Sequence, residues 1–218
     1  MLLSDGRSVT AFAYQEEREI RSALDRALRL MTEAGAHRFD VIGFSIGGWF
    51  AQCLAAEQPE RVRKLVLAHS FTLGPNAAWR FRVAALLWRI LPRALVRAGI
   101  MKRARLALTP LKGTDRRLYD ITLQRVWEAI SSEDARKRLV AQQQAVHDSL
   151  LKSGGRIPTQ PVLIVESAND PLIGLKDRAE LRRKFPDAQS VVLPQAGHVS
   201  ALSAPGALAA AVDAFLRT

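Results

Sequence analysis

The sequence predicts an α/β protein: a parallel sheet covered by helices on both faces. Three observations lead there. Short, continuous apolar runs at residues 39–44, 64–68, 161–166 and 190–193 have the length and composition of buried strands. Helical patterns alternate with these runs, as strand–helix–strand units require. Three of the strands are followed by turns that carry reactive side chains, Ser45 after the first, Asp170 after the third and His198 after the fourth.

Taken in chain order, residues 8–13 form a short candidate strand. Residues 15–33 read as an amphipathic helix, with Ile20, Leu24, Leu28 and Met31 on one face and Gly35 as its stop. The run 39–44 is the first strong strand, and residues 46–58 are helical before Pro59. After the strand 64–68 comes a long helical insertion, from about residue 72 to 156. Within it Trp79, Val83, Leu86, Leu87, Ile90 and Leu91 recur at helical spacing, with Arg82 and Arg89 to one side and Trp88 off the stripe. Pro92 breaks or kinks that helix. The core resumes with strand 161–166, helix 176–185, strand 190–193 and helix 205–216. The chain therefore divides into a first core part at 1–71, a basic helical insertion at 72–156 and a second core part at 157–218.

Composition suits one soluble domain. The chain has 218 residues, 48% of them hydrophobic and 24% charged, enough to bury a core. A single cysteine excludes an internal disulfide, and Cys53, on the helix after Ser45, reads as a buried apolar side chain. The N-terminus has no apolar signal-like run and nothing approaches membrane-spanning length, so a cytoplasmic protein is expected. No metal or cofactor is expected.

The charge is localised. Residues 72–156 hold 17 basic and 6 acidic side chains, a balance of +11, whereas the rest of the chain is neutral with 15 of each. Such a segment is either a helical layer with a solvated basic face or a surface for something anionic, a membrane or a substrate bearing phosphate or carboxylate. Nothing resembles a recognition helix, a zinc module or a base-stacking platform, so nucleic acid is not an expected partner.

The chemistry begins at residues 43–48, Gly-Phe-Ser-Ile-Gly-Gly, where a strand pattern gives way to a helix pattern. A serine hydroxyl is a weak nucleophile unless it is exposed beside a base, and a sharp strand-to-helix turn provides that exposure. Gly43 and Gly47 are the expected points of close backbone approach. The base and its orienting acid follow in order. Asp170 lies in the Ser-Ala-Asn-Asp-Pro loop after the strand 161–166, and His198 in the Pro-Gln-Ala-Gly-His loop after 190–193. His198 would take the proton of Ser45 Oγ, with Asp170 fixing its tautomer. Of the other histidines, His37 precedes the wrong end of the nucleophile strand and His147 lies on a polar helix. His69 ends the strand 64–68 on the reactive edge and is expected as a hydrogen-bonded wall residue.

These motifs resemble the α/β-hydrolase superfamily from about residue 39 to the end. The resemblance rests on the serine turn, on Pro-Val-Leu-Ile-Val at 161–165 with Asp170, and on Ala-Gly-His at 196–198. It implies hydrolysis of a carboxylic ester or thioester of a small acyl substrate through an acyl-Ser45 intermediate, with the insertion as a lid and the N–H of Ile46 as one oxyanion donor. A looser resemblance is to the maspardin-like branch, through residues 45–52, 65–71 and 185–188. That branch implies a non-catalytic interaction protein, from which this chain departs by having His198.

Only 44 residues precede Ser45, where the fold normally places roughly 80 to 100. No Gly-rich loop after an earlier strand is present to supply a second oxyanion donor. The expectation is that the reading frame continues upstream by roughly 40 to 60 residues, with a buried strand and a Gly-rich turn. Without them the edge of the nucleophile strand would be open to pairing with a second copy, as in a homodimer.

Overall fold

The computed structural model describes residues 8–11, 20–72, 79, 83, 86–87, 89–130 and 157–218. These residues fall into two compact units, one drawn from Leu24–Thr72 and Gly155–Thr218 together with residues 8–11, the other from Leu73–Gly154 and the start of the first helix.

The first unit is built on four parallel strands in the order β1-β2-β3-β4: β1 (Phe39–Phe44), β2 (Val62–Ala68), β3 (Val162–Ser167) and β4 (Gln189–Leu193). Register aligns their carboxyl ends. Phe44 pairs with Ala68, Ala68 with Val165 and Ser167 with Leu193, so the loops that follow open on one edge. At residues 65–68 and 162–165, β2 and β3 are apolar without alternation because both of their faces are covered. On one face Val66, Ala68, Leu163, Val165 and Leu193 pack against Leu208, Val212 and Phe215 of the last helix, α7 (Pro205–Arg217). Leu65, Leu67 and Ile164, on the opposite side of the pleat, are also fully buried.

The helix α2 (Ile46–Glu57) packs on β1 and β2. It buries every residue from Gly48 to Ala55, as a helix apolar all round must. Between β3 and β4 runs α5 (Leu175–Lys184), which sets Leu181 into the core. The first helix, α1 (Ile20–Glu33), buries Ala23, Leu24 and Ala27. It stops at Gly35 as expected: Gly35, at φ 71°, donates to the Thr32 carbonyl and Ala36 to that of Met31, a Schellman closure.

Several boundaries differ from the sequence reading. Residues 8–11 form no strand and Val9 is exposed, since among the described residues these four pair with no strand; the rest of that candidate, residues 12–13, lies outside the described residues. So do residues 15–19 of the first helix. β2 starts two residues earlier than the apolar run, since Val62 already pairs with Phe39 of β1, ahead of an irregularity in register before Leu65. A one-turn helix, α6 (Ser200–Ser203), follows the histidine loop and was not anticipated. Among the described strands, β1 pairs with β2 alone.

The second unit contains α3 (Arg93–Ala107) and α4 (Gly113–Ile130), with helical backbone also at Trp79, Val83, Leu86, Leu87, Arg89 and Ile90. Pro92 does end that earlier stretch, capping α3 in an extended conformation at φ −54°, ψ 139°. Val96, Met101, Leu108 and Leu111 are buried, and Asp120 of α4 pairs with Arg105 and Arg116. Arg82, Trp88 and residues 131–156, His147 among them, lie outside the described residues.

Candidate active site

The turn from β1 into α2 holds Ser45 at φ 52°, ψ −121°, a conformation that non-glycine residues rarely adopt. Neighbouring groups hold it there. The Ser45 N–H donates to the Ala68 carbonyl at 2.9 Å, and Ser70 Oγ–H donates to the Ser45 carbonyl at 2.9 Å. Close approach makes two glycines obligatory. A Cβ on Gly43 would lie 2.5 Å from Gly48 Cα and 2.7 Å from Ala51 Cβ, and a Cβ on Gly48 would overlap the Ser70 side chain. Gly47, which the motif had nominated, has open space where a Cβ would go, so the constraint sits one residue later.

The register of the strands brings the three expected residues together. His198 Nε2 lies 2.9 Å from Ser45 Oγ, and His198 Nδ1 lies 2.9 Å from Asp170 Oδ2. Gly197, at φ 61°, gives the histidine loop its bend, and its N–H donates to Asn169 Oδ1 at 2.8 Å. Asn169 also accepts from Ser167 Oγ–H, so the residue beside the acid fastens the acid loop to the histidine loop.

Asp170 is almost completely enclosed. Its Oδ1 accepts the N–H groups of Leu172 at 2.8 Å and Ile173 at 3.0 Å. Burial alone would raise its pKa; the hydrogen bonds from His198, His69, Ile173 and Leu172 outweigh that and hold the carboxyl well below the usual carboxylate range. It is therefore ionised at neutral pH.

His69 is more than a wall residue. It follows β2 at φ 48°, is 1% exposed, and places Nδ1 3.2 Å from Asp170 Oδ2 and Nε2 2.7 Å from Ser200 Oγ. The two imidazoles thus share one carboxylate oxygen, with ring centroids 5.9 Å apart and the Phe44 ring 5.5 Å from each. The position of His69 at a strand's carboxyl end was the available signal; Ser200 carried none. His69, Asp170 and His198 also offer possible metal-ligand atoms within 4.8 Å of one another, but the His198 and His69 Nδ1 atoms that face Asp170 are arranged as proton donors to it rather than as lone pairs.

The N–H of Ile46, the first residue of α2, has no intrahelical acceptor by its position and adjoins the serine. His37 sits at the amino end of β1, away from this edge, where its carbonyl accepts from Arg61. Cys53 is buried in α2, as expected. Near it Lys184 reaches Gln52 Oε1 at 3.2 Å, and burial lowers the pKa of that ammonium.

A parallel sheet that delivers a strained serine, a histidine and an aspartate to one edge defines the α/β-hydrolase architecture. A sequence profile of the alpha/beta hydrolase family matches residues 2–211, and the chain belongs to that family. It is a hydrolase whose relatives carry hydrolase names. It is 24% identical over 194 residues to the pimeloyl-(acyl-carrier protein) methyl ester esterase of Nitrosomonas europaea, covering 88% of this chain and 77% of the relative. It is 26% identical over 206 residues to the 2-hydroxymuconate semialdehyde hydrolase of Pseudomonas putida, covering 88% of this chain and 67% of that one. A crystal structure of a hydrolase from Pseudomonas aeruginosa superposes with a TM-score of 0.68 at 24% identity, over 98% of this chain and 76% of the other, a likeness of fold. Among the described residues, no helix is long and apolar enough to cross a membrane.

Proposed function

We propose that the protein hydrolyses a carboxylic ester or thioester of a small acyl substrate through an acyl-Ser45 intermediate. The observation that carries this reading is the continuous relay from Ser45 Oγ through His198 to Asp170, with both links at 2.9 Å. His198 Nε2 takes the hydroxyl proton as Oγ attacks the carbonyl carbon, and Asp170 stabilises the resulting imidazolium. The N–H of Ile46 faces the developing oxyanion. Collapse of the tetrahedral adduct breaks the bond to the alcohol or thiol, which leaves with the proton from His198. Water, deprotonated by the same nitrogen, then releases the acid and restores Ser45.

The methyl ester esterase named among the relatives supports an ester as substrate, and the semialdehyde hydrolase marks carbon–carbon bond hydrolysis as the neighbouring chemistry. The test is chemical. A fluorophosphonate probe should label the protein at Ser45, and Ser45→Ala should abolish both labelling and hydrolysis of a short p-nitrophenyl ester. A folded protein that is not labelled would defeat this reading in favour of a non-catalytic, maspardin-like interaction protein.

A second proposal concerns the basic segment. Residues 72–156 carry the whole net charge, and Trp79, Leu86, Leu87 and Ile90 are exposed there. Cationic and apolar groups together suit an anionic lipid surface. The segment would then act as a lid that meets a membrane.

A further inference from the structure

The hydrogen bond from His69 to the acid is not needed by the reaction just proposed. That reaction uses one imidazole, yet Asp170 Oδ2 has two against it, His198 Nδ1 at 2.9 Å and His69 Nδ1 at 3.2 Å. A buried histidine that merely fills space satisfies its nitrogens on backbone carbonyls or water; this one bonds the oxygen that orients the base.

Its protonation follows from its partners. Were Nδ1 bare, its lone pair would face a carboxylate, so Nδ1 carries a proton whether the ring is neutral or charged. In the neutral ring Nε2 is then an acceptor, and Ser200 Oγ–H, 2.7 Å away and buried, donates to it. Ser200 thereby fixes the tautomer that aims a donor at Asp170.

We propose that His69 is a positioning residue: anchored by Ser200, it divides the negative charge of Asp170 between two imidazoles and so weakens the hold of that carboxylate on the His198 imidazolium. The inference rests on His198 being the base of the proposed hydrolysis. An imidazolium is stabilised in proportion to the charge its carboxylate can offer, and a second donor on the same oxygen reduces that offer. Removing the donor should return the charge to His198 and raise its pKa.

The charged and titratable groups that face one another here come from three loops: His69 after β2, Asp170 after β3 and His198 after β4. Ser45, in the turn before α2, and Ser200, of α6, are uncharged. On α5, Arg178 donates to the Ser167 carbonyl and Arg182 pairs with Glu166 of β3, so these groups are engaged elsewhere.

The experiment compares the full-length wild type with His69→Leu, His69→Asn and Ser200→Ala. Asparagine tolerates φ near +50° and places its Nδ2 where the imidazole Nδ1 stands, so it keeps the donor; leucine has the same reach without it. Two readouts are taken: the acid limb of kcat/KM against pH for a p-nitrophenyl ester, and the NMR titration of the His198 ring, which needs no turnover. His69→Leu should raise both apparent values by roughly half to one pH unit. His69→Asn should restore them, and Ser200→Ala should shift them upward by less than leucine does. A folded leucine variant that titrates like the wild type would overturn the proposal, as would an asparagine variant indistinguishable from leucine. If leucine does not fold, a Ser200→Ala variant with an unshifted His198 has the same force. Absence of ester hydrolysis in the wild type would count against the proposed reaction alone, since the ring titration reads the coupling directly.

Discussion

Ser45 is held in its rare conformation by backbone hydrogen bonds, whereas Asp170 is held ionised by the donors around it. The carboxyl is only 1% exposed, and four donors stabilise its charge. Its pKa lies below the ordinary aspartate value, so its contribution to stability is fully present above about pH 4 and is lost as the pH falls from there toward the depressed value. Asp170→Asn should therefore flatten the fall of stability with acid in that range, followed by urea unfolding at stepped pH. The same variant should lose roughly three to four orders of magnitude in kcat while keeping its fold, because an amide can favour the unproductive ring tautomer and cannot stabilise the imidazolium. An asparagine variant within tenfold of the wild type would place the orienting acid elsewhere.

The elements deliver these residues, and glycine decides how closely they meet. Gly43→Ala and Gly48→Ala would each force β1, α2 or the Ser70 side chain apart, costing about 1–3 kcal/mol by thermal or urea unfolding. Gly47→Ala meets open space inside a helix and should be neutral or stabilising by up to about 1 kcal/mol. Equal losses at positions 43 and 47 would contradict this assignment. The contrast shows what a sequence can and cannot disclose here. Ser45, Asp170 and His198 were legible because each lies in the turn or loop after an apolar run, and strand alignment then brings those loops together, although in β4 only Leu193 is buried. Spacing cannot distinguish adjacent glycines, because the difference lies in what approaches through space, the Ser70 side chain and Gly43 of β1. The bond between His69 and Asp170 was illegible for the same reason: it depends on the 101-residue separation being closed by sheet register. The one-turn α6 lacks a periodic signal altogether, yet it supplies the serine that fixes His69.

At the scale of the whole chain the unequal distribution of charge is the feature that calls for a test. A core part with balanced charge and a basic segment carrying +11 are poised to respond differently to an anionic surface. Near such a surface each basic side chain contributes about 1 kcal/mol, and exposed Trp79, Leu86, Leu87 and Ile90 add apolar area that electrostatics alone would not use. Co-sedimentation should therefore retain the protein on vesicles of mixed phosphatidylcholine and phosphatidylglycerol and release it as salt rises, since exposed charges are screened over about 10 Å at 0.1 M. Charge reversal at Arg82 and Arg89 should weaken retention without changing the fluorophosphonate labelling of Ser45. Equal retention on neutral and anionic vesicles would end the lipid reading. If vesicles fail but the same reversals raise KM for anionic esters and leave neutral esters unaffected, the basic segment serves the substrate instead.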